Sequence, residues 1–460
     1  MNGGGKDGLW ALERRALTVG LLLTMTLIAS EALAVVTVMP LVARDLHGLS
    51  LYGWVFSTFM LTSLIGIVVA GRDADRHGPA RAYVVGLVCF AAGLVVAGLA
   101  PTMGVLVIGR ALQGFGDGVV PAVAYVVIGR SLPEALQPRM LAMLATAWVV
   151  PGIAGPGVAS AVAHLFGWRW VFLGLIPLVA MTGSLALPAL IRLGRPDTPP
   201  AEEHNVLDGI RTAVGTALVL GGISSRQVWL VVLLGLVGVA IGLPSLRRLL
   251  PPRTLTSARG LPTTILLVGL LTFAFFGADA YVTLTVTTVR HHSTLAAGVV
   301  VTASTLAWTV GSWVQTHLNS RWEGRRLVRL GLVGVLIGTA GMVWQLRQGV
   351  PFGEAIAAWS ISGFGIGLAF SPISLMMLRT APPGREGWAS ASLNLAQVLG
   401  IALGVGIGGA AVTSAAHGSL GLPTGVALAY AAAALMALVA LLVSGRLPDT
   451  LVPSAATVNR

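Results

Sequence analysis

Apolar runs long enough to cross a bilayer recur along almost the whole of this chain, and they leave few folds open to it. A membrane-crossing helix needs about 20 apolar residues. Such runs lie near 17–40, 52–71, 82–101, 103–128, 140–163, 169–191, 207–223, 228–246, 261–288, 295–315, 327–346, 351–378, 388–412 and 422–445. They predict fourteen membrane helices, the seventh being the shortest and rich in glycine. Gly and Pro within the runs do not argue against helix, because neighbouring helices in a membrane re-satisfy the backbone groups they free. Only 10 % of the 460 residues are charged, against about 25 % in a soluble domain. The expected fold class is an all-α integral membrane protein.

The charges that remain are patterned. With the N-terminus placed in the cytoplasm, 23 of the 29 Lys and Arg residues fall in cytoplasmic segments. Examples are Arg72, Arg76 and Arg81, or Arg247, Arg248, Arg253 and Arg259. Five, namely Arg44, Arg169, Arg226, Arg290 and Arg347, fall in outer segments, and Arg110 alone lies inside a run. This is the positive-inside bias. It requires an even number of spans with both termini cytoplasmic, and it predicts a bacterial cytoplasmic membrane protein. The net charge of +12 does not point to nucleic acid, because the basic residues form no single patch. No small-residue cleavage site follows the first apolar run, so that run is expected to stay as a span.

Several chemistries are excluded by what is scarce. Cys89 is the only cysteine and Lys6 the only lysine. The chain therefore has no internal disulfide, and because Asp7 follows Gly5-Lys6 it has no Gly-Lys-Ser/Thr of a Walker A motif. The eight histidines show no metal-ligand spacing. His291 and His292 are neighbours, which do not face one another on a helix. Neither metal nor cofactor is expected. No nucleophile elbow is present, so an enzyme is not expected either.

The two halves repeat. Ser30–Val38 reads against Ala278–Val286 at an offset of 248, and Gly114-Phe115-Gly116-Asp117-Gly118 reads against Gly363-Phe364-Gly365-Ile366-Gly367 at 249. Gly155 and Gly157 fall on Gly404 and Gly406, again at 249. These matches predict two pseudo-symmetric six-helix bundles, at 1–193 and 260–460. A linker at 194–259 would carry two inserted spans. Parallel repeats of this kind are a transporter architecture.

Four ionisable residues sit where hydrocarbon should be: Glu31, Arg110, Asp117 and Asp279. Each costs roughly 2.5–3.5 kcal/mol on insertion scales, so each needs a reason. At 1.5 Å per residue, Glu31 lies ~13 Å and Arg110 ~11 Å from the outer ends of their helices, so the two share a depth. Gln113 and Asp117 continue from Arg110 along one helix face, as a polar stripe. Two readings stand. The groups either pair to specify helix packing, or they titrate, with a carboxylate that gains and loses an Arg partner binding and releasing a proton. In the second half, Trp359 takes the place of Arg110 and Ile366 that of Asp117, while Asp279 stands opposite Glu31. The first half is therefore expected to handle protons, through Glu31, Arg110 and Asp117. The second offers apolar wall. Gln113, Asp279, Tyr281, Trp308, Trp359 and Phe364 are the candidates for a substrate cavity, with Phe273, Phe275 and Phe276 beside them or facing lipid.

These residues resemble the major facilitator superfamily over nearly the whole chain, and within it the fourteen-span drug:proton antiporters. Gly71-Arg72-Asp73-Ala74-Asp75-Arg76-His77-Gly78-Pro79-Ala80-Arg81 is similar to the superfamily's loop signature, matching at Gly71, Asp75, Arg76 and Gly78, with Arg81 one place late. Asp73 stands at the leucine position. The resemblance implies a conformational latch in this loop. Arg110, Gln113, Gly114 and Gly116 resemble the span-four signature, whose arginine the family ties to proton transfer. Gly155-Pro156 resembles the antiporter signature of span five, whose last two glycines are Ala159 and Ser160 here. Gly167-Trp168-Arg169-Trp170-Val171-Phe172 resembles the start of span six. The resemblance implies proton-coupled export of hydrophobic or cationic small molecules by a monomer, with protons and membrane lipids as the other partners. A dedicated exporter of a lipid or natural product has the same motifs, and an importer is disfavoured by Gly155-Pro156.

Overall fold

A computed structural model describes residues 8–47, 52–195, 206–223, 227–292, 294–319, 321–382, 385–417 and 421–448. The described residues are helical almost throughout. In chain order the helices are α1 (Leu12–Asp45), α2 (Tyr52–His77), α3 (Pro79–Gly98), α4 (Met103–Ser131), α5 (Gln137–Thr146), α6 (Val149–Phe166), α7 (Arg169–Leu173) and α8 (Ile176–Arg192). There follow α9 (Val206–Ile223), α10 (Val228–Leu249), α11 (Leu261–Leu284), α12 (Thr294–Leu318), α13 (Gly324–Trp344), α14 (Phe352–Thr380), α15 (Glu386–His417) and α16 (Gly421–Val443). Twelve helices among the described residues are long and apolar enough to cross a membrane. A thirteenth span is made if Gln137–Gly155 and Gly157–Phe166, bent by 47° at the break, count as one. The helix α2 covers the apolar run at 52–71 but is not counted among these thirteen.

The chain divides into two compact units, one of Met1–Ala217 with Ala381–Leu395, the other of Leu218–Thr380 with Ala396–Arg460. In the first unit α4 packs against α2 and α3, while α1 packs against α6 and α8. In the second unit α14 packs against α12 and α13, and α11 packs against α14 and α16.

The glycine triplets explain the tight packing of α4 and α14. A Cβ on Gly114 would run into the Phe59 carbonyl oxygen, and one on Gly118 into that of Ser63, both on α2. One on Gly116 would lie 2.5 Å from the Gly86 carbonyl oxygen on α3. In the second unit Cβ atoms on Gly363 and Gly367 would run into the Ser304 and Trp308 carbonyls of α12, and one on Gly365 would lie 2.5 Å from the Gly331 carbonyl oxygen of α13. Alternate glycines thus let one helix touch the backbones of two neighbours. The repeated spelling in the sequence is a repeated packing solution, of the small-residue kind that membrane helices use for close approach.

Not every motif glycine works this way. Gly155 meets only Leu33, at 3.7 Å, and nothing lies within 4 Å of a Cβ on Gly157. No close helix approach is built at Gly155 or Gly157, and the Pro156 side chain lies outside the described residues. Gly118→Val is accordingly expected to destabilise by about 3 kcal/mol, the upper end for overpacking, whereas Gly157→Ala should be neutral or slightly stabilising. Melting temperatures of the two variants in one detergent check the contrast. Equal temperatures would contradict this account of the packing.

Candidate functional site

The site in the first unit is assembled from α1, α2 and α4. Glu31 on α1 is 1 % exposed and Arg110 on α4 is 3 % exposed. The guanidinium Nη1 donates to Glu31 Oε1 in a close ion pair. The same nitrogen donates to Gln113 Oε1 at 2.9 Å, and Nε donates to the Val55 carbonyl at 3.3 Å. The Phe59 ring lies under the guanidinium, 4.1 Å from its centroid to Cζ. A guanidinium has donors only. Gln113 must therefore turn its oxygen to Arg110, which leaves its NH2 facing away, buried and without a partner among the described residues.

The expected depth match between Glu31 and Arg110 is thus met by direct contact, and Gln113 joins them. Asp117 does not. It accepts from Ser63 Oγ at 3.2 Å and forms no ion pair with Arg110 among the described residues. The residues that sequence reading missed are on α2: Val55, Phe59 and Ser63. Phe59 and Ser63 are four apart, on one helix face, and that spacing was the available signal.

At the C-terminal end of α2, the loop residues form a separate arrangement. Gly78 has φ of +84°, in the left-handed region, and a Cβ there would run into the Gly194 carbonyl oxygen. Both facts demand glycine. Beyond the apolar run of α2, Asp75 accepts from the backbone N–H groups of Gly387 and Trp388, at 2.8 Å each, in the first turn of α15. Carboxylates are favoured at such helix starts. Burial pushes the Asp75 carboxyl up, to about 7, against the downward pull of those two N–H groups. A Cβ on Gly71 would lie 2.9 Å from the Gly387 carbonyl oxygen. Asp73, at the leucine position, bonds His77 at 2.9 Å and faces Arg81 at 3.6 Å. Arg76 also has partners in the structure. The loop residues therefore hold α15 by its first turn, through Asp75 and Gly71.

The second unit answers the first with different chemistry. Trp359 Nε1 on α14 donates to Asp279 Oδ1 on α11 at 2.9 Å. These are the repeat counterparts of Arg110 and Glu31, so an indole replaces a guanidinium. Trp359 stacks on Phe275, with centroids 5.3 Å apart and planes at 14°. Trp308 meets Phe275 edge-on at 5.6 Å and Phe276 at 5.9 Å. Tyr281 is 8 % exposed, and its hydroxyl donates to the Val405 carbonyl of α15, so it is a packing residue here. Phe364 makes no ring contact with this cluster among the described residues.

The fold and site are those of a multi-pass helical membrane protein with an ion pair sealed among its helices, and its family and relatives make it a transporter, not an enzyme. The chain belongs to the Major Facilitator Superfamily, whose profile matches residues 19–405. It is 27 % identical over 425 residues to a probable multidrug-efflux transporter of Mycobacterium tuberculosis, covering 88 % of this chain and 89 % of that one. It is 24 % identical over 414 residues to multidrug resistance protein 3 of Bacillus subtilis, covering 86 % and 79 %. The fold is similar to that of the human organic anion transporter MFSD10, with a TM-score of 0.71 at 12 % identity over 94 % of this chain and 99 % of that one. Membership of the family implies small-molecule substrates.

Proposed function

We propose that this protein exports hydrophobic or cationic small molecules across a bacterial cytoplasmic membrane in exchange for protons, by alternating access. The observation that carries the reading is the buried Glu31–Arg110 pair. Intramembrane ionisable pairs are costly and mark proton or substrate pathways. Here the pair is arranged so that one member can leave. Arg110 keeps the Phe59 face, the Val55 carbonyl and the Gln113 oxygen when Glu31 takes a proton. Glu31, by contrast, has no hydrogen-bond partner but Arg110 among the described residues. Protonation therefore breaks one contact of the arginine and the only such contact of the acid. The nearby Asp117, held by Ser63, is a second carrier in the same unit.

The names of the relatives from Mycobacterium tuberculosis and Bacillus subtilis support drug export. The span count supports the fourteen-span antiporter group: α2 added to the thirteen spans gives fourteen. The positive-inside bias supports cytoplasmic termini. On this reading residues 1–193 and 260–460 are the two bundles, residues 194–259 carry the inserted pair, and the protein works as a monomer.

Purified protein in proteoliposomes, given an imposed pH gradient, tests the proposal. Uptake of a lipophilic dye into inside-acidic vesicles should exceed uptake without a gradient, and a protonophore should remove the difference. Dye movement that ignores the gradient would reject proton coupling.

A further inference from the structure

The first unit encloses its acid, and the second leaves its acid half-buried. Glu31 is shut away with a guanidinium on it. Asp279 is partly accessible, and so are Phe276, three residues before it on α11, and Trp308, which packs on Phe276. Among the described residues Asp279 has one hydrogen-bond partner, the neutral Trp359 indole, and no ion pair. A carboxylate in apolar surroundings without a cation is costly unless it takes a proton or a cation is brought to it. Its surroundings suit a particular kind of charge. Phe275 and Phe276 lie one turn before Asp279 on α11, and Trp308 packs on both. Aromatic faces attract cations within about 6 Å of the ring centroid. They do so best for a cation too poorly hydrated to prefer water.

We propose that Asp279, flanked by Phe276 and Trp308, binds the cationic centre of a lipophilic cargo, and so selects cargo by charge separately from the Glu31–Arg110 pair. The inference rests on the transport reading, but the repeat sharpens it. The same two positions hold Arg110 with Glu31 in one unit and Trp359 with Asp279 in the other. Replacing the built-in cation by an indole leaves a carboxyl group that is still oriented by one hydrogen bond and has no cation of the protein's own among the described residues. In the first unit the protein supplies the positive charge. In the second the ligand supplies it.

Binding of tetraphenylphosphonium to the detergent-solubilised full chain, measured at fixed pH with no gradient, tests this independently of proton coupling. The unaltered chain should bind saturably. Asp279→Asn should weaken binding more than tenfold, while Asp279→Glu and the exposed-loop control Arg347→Ala should each stay within about threefold of the unaltered chain. Absence of saturable binding, full affinity in Asp279→Asn, or an Asp279→Glu variant as weak as Asp279→Asn would overturn the proposal. The last result would mean that shape and not charge matters there. A second measurement needs no variant. Saturating tetraphenylphosphonium should protect Asp279 from a hydrophobic carbodiimide, read by mass spectrometry of the peptide carrying it. Unprotected labelling would overturn the proposal equally. A failed gradient assay combined with intact, Asp279-dependent binding would reject proton coupling and keep this site.

Discussion

Glu31→Gln is expected to abolish export driven by a pH gradient while leaving the protein folded in the membrane. The amide has the shape of the acid and still offers an oxygen to Arg110, but it has no proton to exchange. The structural cost should be modest. A hydrogen bond to a charged group contributes about 1.5–3 kcal/mol, and Arg110 retains Gln113, Val55 and the Phe59 ring. Gradient-driven uptake should therefore fall to the level of empty vesicles, whereas exchange of labelled for unlabelled cargo without a gradient should persist. Normal gradient-driven export by this variant would remove Glu31 from the mechanism.

Arg110→Ala is expected to do more harm, because it disturbs both stability and coupling. Removing one member of a buried ion pair costs about 3–5 kcal/mol when the other is left uncompensated. Glu31 would escape that cost by holding a proton permanently, which stops the cycle at one step. Arg110→Lys should fail as well. A lysine ammonium cannot present the planar fork that reaches Glu31, Gln113 and the Val55 carbonyl while lying on the Phe59 ring. The control is Arg347→Ala. Arg347 is exposed, and its backbone carbonyl, which accepts from Arg290, survives the substitution. Its guanidinium lies over the exposed Trp344 ring, 4.4 Å from the centroid, a surface contact of about 0.5–1 kcal/mol. Melting temperature should fall much further in the Arg110 variants than in Arg347→Ala, and gradient-driven uptake should drop only in the former. Equal effects at 110 and 347 would discredit the ion pair as the coupling element.

The legible part of this protein follows from solvent. Bilayer admits only backbone that satisfies itself, so every long apolar run is a helix. The helices of the structure cover all fourteen runs, the fifth as α5 and α6 and the sixth as α7 and α8. Charges in oil are so costly that Glu31, Arg110, Asp117 and Asp279 announce themselves in the chain. A shared depth for Glu31 and Arg110 follows from counting 1.5 Å per residue. The glycine triplets were legible as a repeat but not as a mechanism. Their spelling does not say which neighbour each glycine touches.

Partners across helices were not legible. A hydrogen bond between residues 80 apart, as for Trp359 and Asp279, depends on how two helices are rotated about their own axes. That rotation is fixed by packing of whole faces and by no local propensity. The same holds for Phe59 under Arg110, for Asp117 turning to Ser63, and for Tyr281 turning to the Val405 carbonyl. Sequence alone determined that this chain lives in a membrane, where its long apolar helices run, and which few side chains pay for being there. Tertiary structure alone decided what each of those side chains holds, because in a medium without water a polar group's role is set by the one neighbour it finds.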